Sequence, residues 1–165
     1  MEVSKLRKVL HSFPVFLLVL SVLFFAFTQT QKLLKISGIS MEPTLHDKDV
    51  CFMETFITPE REGIYVVKEP EVAVWAVKRL VGLPGDVVEL CDGYTYVNGE
   101  RILENVEGTW ESMTFELGAD EYLFLGDNRK DSYDGRYWSR LLNRSDILYH
   151  VTYRLWPIHK IGRLE

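Results

Sequence analysis

The sequence predicts a mostly β protein of antiparallel strands, preceded by one N-terminal transmembrane helix. Three observations predict this fold class. An uncharged, largely apolar segment occupies residues 9–31. After it, short runs of β-branched and aromatic residues alternate with Asp-Gly and Asn-Gly pairs. Beyond residue 35, no segment keeps the 3.6-residue apolar period of a long helix.

The N-terminal apolar segment is long enough to cross a bilayer. Residues 9–31 contain no Asp, Glu, Lys or Arg. A helix that rises about 1.5 Å per residue over this length reaches across the roughly 30 Å of a hydrocarbon core. We therefore expect a short segment at residues 1–11, a transmembrane helix at 12–31 and one folded domain at 32–165.

A cleaved signal peptide is the alternative interpretation of this segment. Lys5, Arg7 and Lys8 form the basic start that such peptides have, but residues 27–31 contain no clean small-x-small cleavage site. The sequence therefore favours a retained anchor. Basic residues just beyond the segment nearly balance the basic cluster before it, so charge alone does not set the orientation.

Two turn signals predict a three-stranded meander in the folded domain. Asp92-Gly93 separates the run 86–90 from 94–97, and Asn98-Gly99 separates 94–97 from 100–103. Asp-Gly and Asn-Gly favour the positive φ values of two-residue hairpin turns. The three runs should therefore pair as consecutive antiparallel strands.

Other short runs complete the predicted β domain. They share a high content of β-branched and aromatic residues, which favour strands, and cover 50–53, 64–67, 72–80, 121–125 and 148–155. Residues 138–145 are the one place where a short helix is compatible with the pattern.

Composition excludes some functions. The formal charge of -5 and the dispersed cations argue against a nucleic-acid surface, which needs a basic stripe. Cys51 and Cys91 are the only cysteines and lack the spacing of a metal site. We expect two ordinary buried thiols, and the sequence leaves open whether they pair.

Ser40 lies in the first of three segments that could carry chemistry. The segment, 37–45, begins a few residues beyond the apolar span. Gly38 permits a close backbone approach to a substrate, and Pro43 favours a turn behind the serine. Taken alone, this segment favours a structural or capping serine, so Ser40 needs a partner before it indicates catalysis.

Lys78 is the candidate partner, in the second segment, 72–86. On a strand, Val72, Val74, Ala76 and Lys78 share one face, so Lys78 ends an apolar row. Burial would lower its pKa and let a neutral amine take a proton from a serine hydroxyl. The alternative is a lysine that extends to solvent from the end of the strand.

The third segment, 125–138, is dense in turn formers and alternating charges. This composition predicts an ordered loop held by its own hydrogen bonds and ion pairs. A solvated surface loop or a metal site are the alternatives. The spacing of Asp127, Asp131 and Asp134 does not match a calcium loop, so we expect no metal.

Together and in this order, the three segments resemble the signature boxes of the type I signal peptidases. The boxes are Ser-Met-x-Pro-Thr-Leu from Ser40, Lys-Arg-x-x-Gly-x-Pro-Gly-Asp from Lys78, and Gly-Asp-Asn-x-x-x-Ser-x-Asp-x-Arg from Gly126. The resemblance implies a serine endopeptidase of the plasma membrane with a cytoplasmic N-terminus and an extracytoplasmic catalytic β domain. It would remove signal peptides from exported pre-proteins, cutting after small residues.

The resemblance also implies a role for each matching residue. Ser40 would be the nucleophile and Lys78 the general base, with no metal or cofactor. The backbone N–H of Ser40 would form part of the oxyanion hole. Gly38 stands where some family members add a hydroxyl donor, and Met41 would sit on an apolar, membrane-facing surface.

Further roles fall in the third box. Ser132 would hydrogen-bond the Lys78 amine, while Asp134 and Arg136 would form a structural ion pair beneath the site. Gly135 and Ser139 depart from the family pattern, in which Ser and Gly are common at these positions.

The implied partners are the signal peptides of pre-proteins and the lipid bilayer, for a monomer that works near the secretion translocon. A substrate would bind as an added β-strand. Two alternatives stay open at this point: a related Ser/Lys peptidase of the mitochondrial inner-membrane or conjugative pilin type, and a non-catalytic, membrane-tethered β module that binds a partner.

Overall fold

A computed structural model describes residues 14–22, 31–55, 58–72, 74–103 and 112–164. The chain divides into two units, Met1–Lys32 and Leu33–Glu165. In the first unit, residues 14–22 are helical. The rest of the predicted transmembrane helix at 12–31 lies almost wholly outside the described residues, as does the expected segment at 1–11. None of the helices within the described ranges combines the length and apolar character needed to cross a membrane.

The second unit is mostly antiparallel β, as the sequence predicts, and its strands form two sheets. The larger has the order β1-β2-β10-β3-β4-β9, and the short β11 pairs with β10. The registers of β10 with β2, β3 and β11, and of β4 with β3 and β9, are all antiparallel. Its strands are β1 (Gln31–Lys35), β2 (Val50–Glu54), β3 (Ile64–Lys68), β4 (Trp75–Gly82), β9 (Leu123–Leu125), β10 (Ile147–Trp156) and β11 (Gly162–Arg163).

The smaller sheet contains the predicted meander. Its order is β7-β6-β5-β8, with β5 at Val87–Cys91, β6 at Tyr94–Val97, β7 at Glu100–Leu103 and β8 at Met113–Glu116. Asp92, Gly93, Asn98 and Gly99 have φ values of 49°, 81°, 54° and 82°. Positive φ at both central residues defines the type I′ turn, so both predicted hairpins are confirmed. β8 was not predicted.

β4 differs from its prediction in a way that matters for the site. It begins at Trp75, not at residue 72. Val72 and Val74 lie before the strand and are 64% and 54% exposed. The prediction that Val72 and Val74 help to bury Lys78 is therefore wrong. Other residues bury this lysine.

The only helical turn in the segment predicted to allow a short helix is a 3-10 turn at Arg144–Asp146. A second 3-10 turn follows β10 at Ile158–Lys160. Asn143 begins the first turn, and its backbone N–H donates to the Asp146 carboxylate at 2.9 Å.

A buried apolar cluster joins the two sheets next to β4. Its core members are Val81, Val88, Leu90, Val97, Leu117, Leu123 and Leu125. Gly82 makes this contact possible, because a Cβ there would lie 2.8 Å from side-chain carbons of Leu117 and Val88. The smaller sheet therefore packs directly over the end of β4.

Both cysteines are free thiols. Cys51 is buried, and burial raises its pKa to about 11, so the thiol stays protonated and unreactive at neutral pH. Cys91 is half-buried.

Candidate active site

The centre of the site is a hydrogen bond between two residues that are far apart in sequence. Lys78 Nζ lies 2.8 Å from Ser40 Oγ. Ser40 sits in a turn after β1, where Glu42 N–H donates to the Ile39 carbonyl at 3.0 Å. Lys78 lies in the middle of β4. The structure therefore brings together the serine and lysine of the first two sequence segments.

Lys78 is only 4% exposed. On its face of β4, Ala76 and Leu80 are buried, and the register places the fully buried Tyr65 of β3 directly opposite. These neighbours, rather than Val72 and Val74, remove the lysine from water. Loss of water costs more free energy for the charged ammonium than for the neutral amine, so burial favours the neutral form.

The surroundings of Lys78 shift its pKa downward. Burial lowers the pKa most, and the positive charge of Arg136 also lowers it. The carboxylates of Asp134, Glu69 and Asp127 act in the opposite direction. Burial outweighs them, so the amine loses its proton more readily than a solvated lysine does.

Asn128 fixes the backbone on which Ser40 is presented. Its N–H donates to the Ser40 carbonyl at 3.0 Å, and its side-chain amide donates to the Ile39 carbonyl at 3.3 Å. Sequence analysis missed this residue. Its position two residues after Gly126 in the third box was the only available signal.

Gly126 lies in the tightest part of the site. A Cβ at this position would be 2.1 Å from Ser132 Oγ and 2.6 Å from the carbonyl oxygen of Ser40. Its N–H donates to Asp134 Oδ2 at 2.9 Å. Only glycine fits here without displacing the serine loop.

Ser132 does not make the contact that the resemblance implied. Its hydroxyl is buried and has no hydrogen-bond partner among the residues that the structure describes. Lys78 Nζ donates to Ser40 instead, and Ser132 Oγ packs against Gly126. The expected Ser132–Lys78 hydrogen bond is therefore absent from this part of the chain.

The predicted ion pair between Asp134 and Arg136 is present and fully buried. Arg136 donates to both carboxylate oxygens, at 2.8 Å from Nε and 3.0 Å from Nη2. Its Nη2 also donates to the carbonyls of Arg129 and Ser132, at 2.9 and 3.2 Å. One guanidinium thus closes the loop that carries Gly126 and Asn128.

A second paired arginine connects β4 to the same loop. Arg79 donates from Nε and Nη2 to the two carboxylate oxygens of Asp127, each at 2.8 Å. The carboxylates of Asp127 and Asp134 are thus both engaged by arginines. This arrangement fits the predicted ordered loop and does not resemble a metal site.

Next to the Ser40–Lys78 pair lies a cavity of about 270 Å³. Gly38, Ser40, Met41 and Lys78 all line it, so the structure places these predicted site residues together. Met41 is not on an exposed apolar surface, however, since it is 2% exposed and belongs to a core cluster with Ile36 and Leu45. That part of the expectation was wrong.

Gly38 has φ of 96°, a value that favours glycine, and its N–H donates to Asp47 Oδ1 at 3.1 Å. Gly38 therefore offers neither a hydroxyl nor a free N–H to a substrate in this conformation. Glu69 and Trp75, which sequence analysis did not single out, also line the cavity.

Comparison with known proteins places the chain among peptidases. The family described as signal peptidase, peptidase S26, matches residues 6–156. The chain is 38% identical over 143 residues to a probable signal peptidase I-2 of Synechocystis, a match that covers 78% of this chain and 65% of that protein. It is 32% identical to a signal peptidase I P of Bacillus subtilis subsp. natto, covering 76% of this chain and 77% of that one.

A solved structure agrees with these matches. The chain superposes on the crystal structure of a signal peptidase I from Enterococcus faecalis V583 with a TM-score of 0.53 and 25% identity. The match covers 59% of this chain and all of the other.

Proposed function

The chain belongs to the signal peptidase family, peptidase S26, and on that basis we propose that it is a membrane-bound serine endopeptidase that removes signal peptides from exported pre-proteins after small residues. The observation that carries the proposal is the 2.8 Å hydrogen bond between Lys78 Nζ and Ser40 Oγ. A serine hydroxyl is a weak nucleophile until a base accepts its proton. A buried lysine with a lowered pKa can be that base.

The reaction proceeds in two steps on this pair. Neutral Lys78 takes the proton of Ser40 as Oγ attacks the scissile carbonyl carbon, and the resulting ammonium then protonates the departing amine. The acyl group stays on Ser40. Lys78 next takes a proton from a water molecule that attacks this ester, which releases the signal peptide as a carboxylic acid and restores the hydroxyl.

The backbone N–H of Ser40 is the proposed oxyanion donor. Among the described residues it is hydrogen-bonded to no acceptor, whereas the N–H of Gly38 is bonded to Asp47. Asn128 fixes the carbonyl of the same residue, which helps to hold the serine loop in place. A pre-organised donor is worth more than one that must rotate into position.

The substrate pairs with the open edge of β4. β9 pairs with β4 only at Arg79, Leu80 and Gly82, so the ladder stops before Lys78. On the other edge of β4, the Val74 carbonyl accepts a hydrogen bond from Glu69 N–H. Leu80 N–H in turn donates to the Gly63 carbonyl. The backbone groups of the even-numbered residues of β4 therefore point toward β3. The backbone groups of Trp75 and Val77 therefore point to the open edge, next to the nucleophile.

The apolar segment at residues 12–31 serves as the membrane anchor, with a cytoplasmic N-terminus and the catalytic domain on the outer face. This topology rests on the sequence. With this topology, a signal peptide whose apolar core lies in the bilayer presents its cleavage site at the outer face, on the same side of the membrane as Ser40.

Cleavage by the purified full chain tests the proposal. The protein in detergent should convert a pre-protein to its mature form, with the new N-terminus identified by mass spectrometry, and Ser40→Ala should be inert. Equal inactivity of both proteins, or equal activity, would show that Ser40 is not the nucleophile of a signal peptidase.

A further inference from the structure

Glu69 places an acidic group in the catalytic cavity. The residue follows β3 directly, and it lines the same cavity as Ser40 and Lys78. Burial raises the pKa of its carboxyl, an effect that Lys78 opposes and Glu71 reinforces. Among the residues that the structure describes, none donates a hydrogen bond to this carboxylate or forms an ion pair with it. A partly desolvated carboxylate without a partner is costly.

The neighbouring Glu71 shows what a structural role would look like. Its carboxylate accepts a short hydrogen bond from the backbone N–H of Ser139, which ties the segment before β4 to the loop after Trp138. The Glu69 carboxylate accepts no such bond from any described residue. Its charge is therefore available to a ligand of the cavity.

The cations of the cavity do not neutralise Glu69 at the moment when a substrate binds. Lys78 must be uncharged to act as the base. Lys35 also lines the cavity, but it is exposed and is not among the groups that shift the pKa of Glu69. A positive charge supplied by the substrate would compensate the carboxylate.

An aromatic side chain lines the same cavity as the carboxylate. Trp75 lines the same cavity and is 58% exposed, and it pairs across the β3–β4 ladder with Lys68, the residue before Glu69. A cavity that holds both a carboxylate and an exposed indole suits the binding of an ammonium or guanidinium group, through charge and cation–π attraction.

We propose that Glu69, assisted by Trp75, is a specificity-determining residue that selects a lysine or arginine in the pre-protein close to the scissile bond. The proposal rests on the proposed function and deepens it. Glu69 bonds the backbone of Val74, at the far end of the open edge of β4 from Lys78. At about 3.3 Å per residue, and allowing for the reach of a long side chain, the selected residue lies about two to four positions from the bond that is cut.

Matched peptides test this selection with the full chain in detergent. The parent peptide spans a signal-peptide cleavage site. For each of the four positions on either side of the scissile bond, one pair of peptides is made that differs only in having Lys or Gln at that position. For at least one position, we expect the kcat/KM of the Lys peptide to exceed that of the Gln peptide about tenfold. Added salt should reduce this ratio.

Two variants test whether Glu69 causes the preference for the Lys peptide. Glu69→Gln should bring the Lys/Gln ratio close to one. Glu89→Gln removes the same charge from an exposed position on β5, in the other sheet, and should keep the ratio of the unmodified protein.

Several outcomes would overturn the selection. One is a ratio of one at every position in the unmodified protein. Another is a Glu69→Gln variant that changes the cleavage of both peptides alike, which would show that Glu69 acts on Lys78 and not on the substrate. Failure to cleave any peptide or pre-protein would overturn the proposed function as well, so the two failures are distinguishable.

Discussion

Asn128 donates its backbone N–H to the carbonyl oxygen of Ser40 across 3.0 Å, and this bond ties the proposed nucleophile to the loop that follows β9. The same loop contains Asp134, whose carboxylate accepts from Gly126 and Arg136. The position of Ser40 Oγ therefore depends on a buried ionic network as well as on its own turn. Substitutions in that network should therefore alter the position of Ser40 relative to Lys78.

Replacing Lys78 by Arg should abolish cleavage. Arginine keeps the positive charge but holds its proton at any accessible pH, so it cannot accept the proton of Ser40. We expect a loss of about 10²- to 10⁴-fold in kcat, measured with a pre-protein under single-turnover conditions. Lys78→Met, which has no base at all, is the matched comparison and should be as inactive. Turnover by the Arg variant near that of the unmodified protein would exclude Lys78 as the base.

The pH dependence of kcat/KM should report the lowered pKa of Lys78. Activity should rise with pH as the amine loses its proton and should level off below 10.5, the usual lysine value, because burial lowers the pKa. A profile that is flat from acid to alkaline pH would contradict a titrating lysine.

The pH dependence of the free energy of unfolding should also reflect the lowered pKa of Lys78. The folded-state pKa of Lys78 lies below the unfolded-state value, so the unfolded chain binds more protons between these two pKa values. The contribution of Lys78 to the free energy of unfolding should therefore rise with pH across this window. Lys78→Met removes this dependence. Urea unfolding of both proteins from pH 6 to pH 10 should show the unmodified protein gaining stability relative to the variant, and a constant difference would refute the shift.

Local chemistry explains which parts of the fold were predictable. The two hairpins followed from Asp92-Gly93 and Asn98-Gly99 because the positive φ values are a property of those residues themselves. The burial of Lys78 was predicted from its own strand, yet Val72 and Val74 are exposed, and the fully buried Tyr65 lies opposite Lys78 on the neighbouring strand. Contacts between strands are not encoded in the pattern of one strand.

The site was predictable in its residues and less so in its contacts. Ser40 and Lys78 were identified from three motifs, and their hydrogen bond is present. The hydrogen bond expected from Ser132 to Lys78 is absent among the described residues, and Ser132 Oγ lies against Gly126, a contact between residues that the sequence pattern does not encode. Asn128 bonds the carbonyl of Ser40 through its backbone N–H, which any residue type except proline provides, so the sequence carried little signal for this contact.

Removing the charge of Asp134 should destabilise the domain. In Asp134→Asn, the buried guanidinium of Arg136 would lose its bidentate partner, and an unpaired buried charge costs about 3–5 kcal/mol. Asp92→Asn is a suitable control, because Asp92 is exposed and its φ of 49° is tolerated by asparagine. Urea unfolding should show the loss in Asp134→Asn alone. Equal stability of the two variants would mean that the buried pair contributes nothing net.

Gly126→Ala should disable the site through one added methyl group. The new Cβ would fall 2.6 Å from the Ser40 carbonyl and 2.1 Å from Ser132 Oγ, so the serine loop must move. Overpacking of this kind costs about 1–3 kcal/mol, and a displacement of about 1 Å at the nucleophile lowers kcat about a hundredfold.

Gly162→Ala provides the matched control for this substitution, because a Cβ at Gly162 in β11 meets no atom within 4 Å. Cleavage assays and urea unfolding of both variants in detergent separate the two effects. We expect Gly162→Ala to keep the activity and stability of the unmodified protein. If Gly126→Ala behaved in the same way, the close packing of Gly126 against Ser40 would not be what positions the nucleophile.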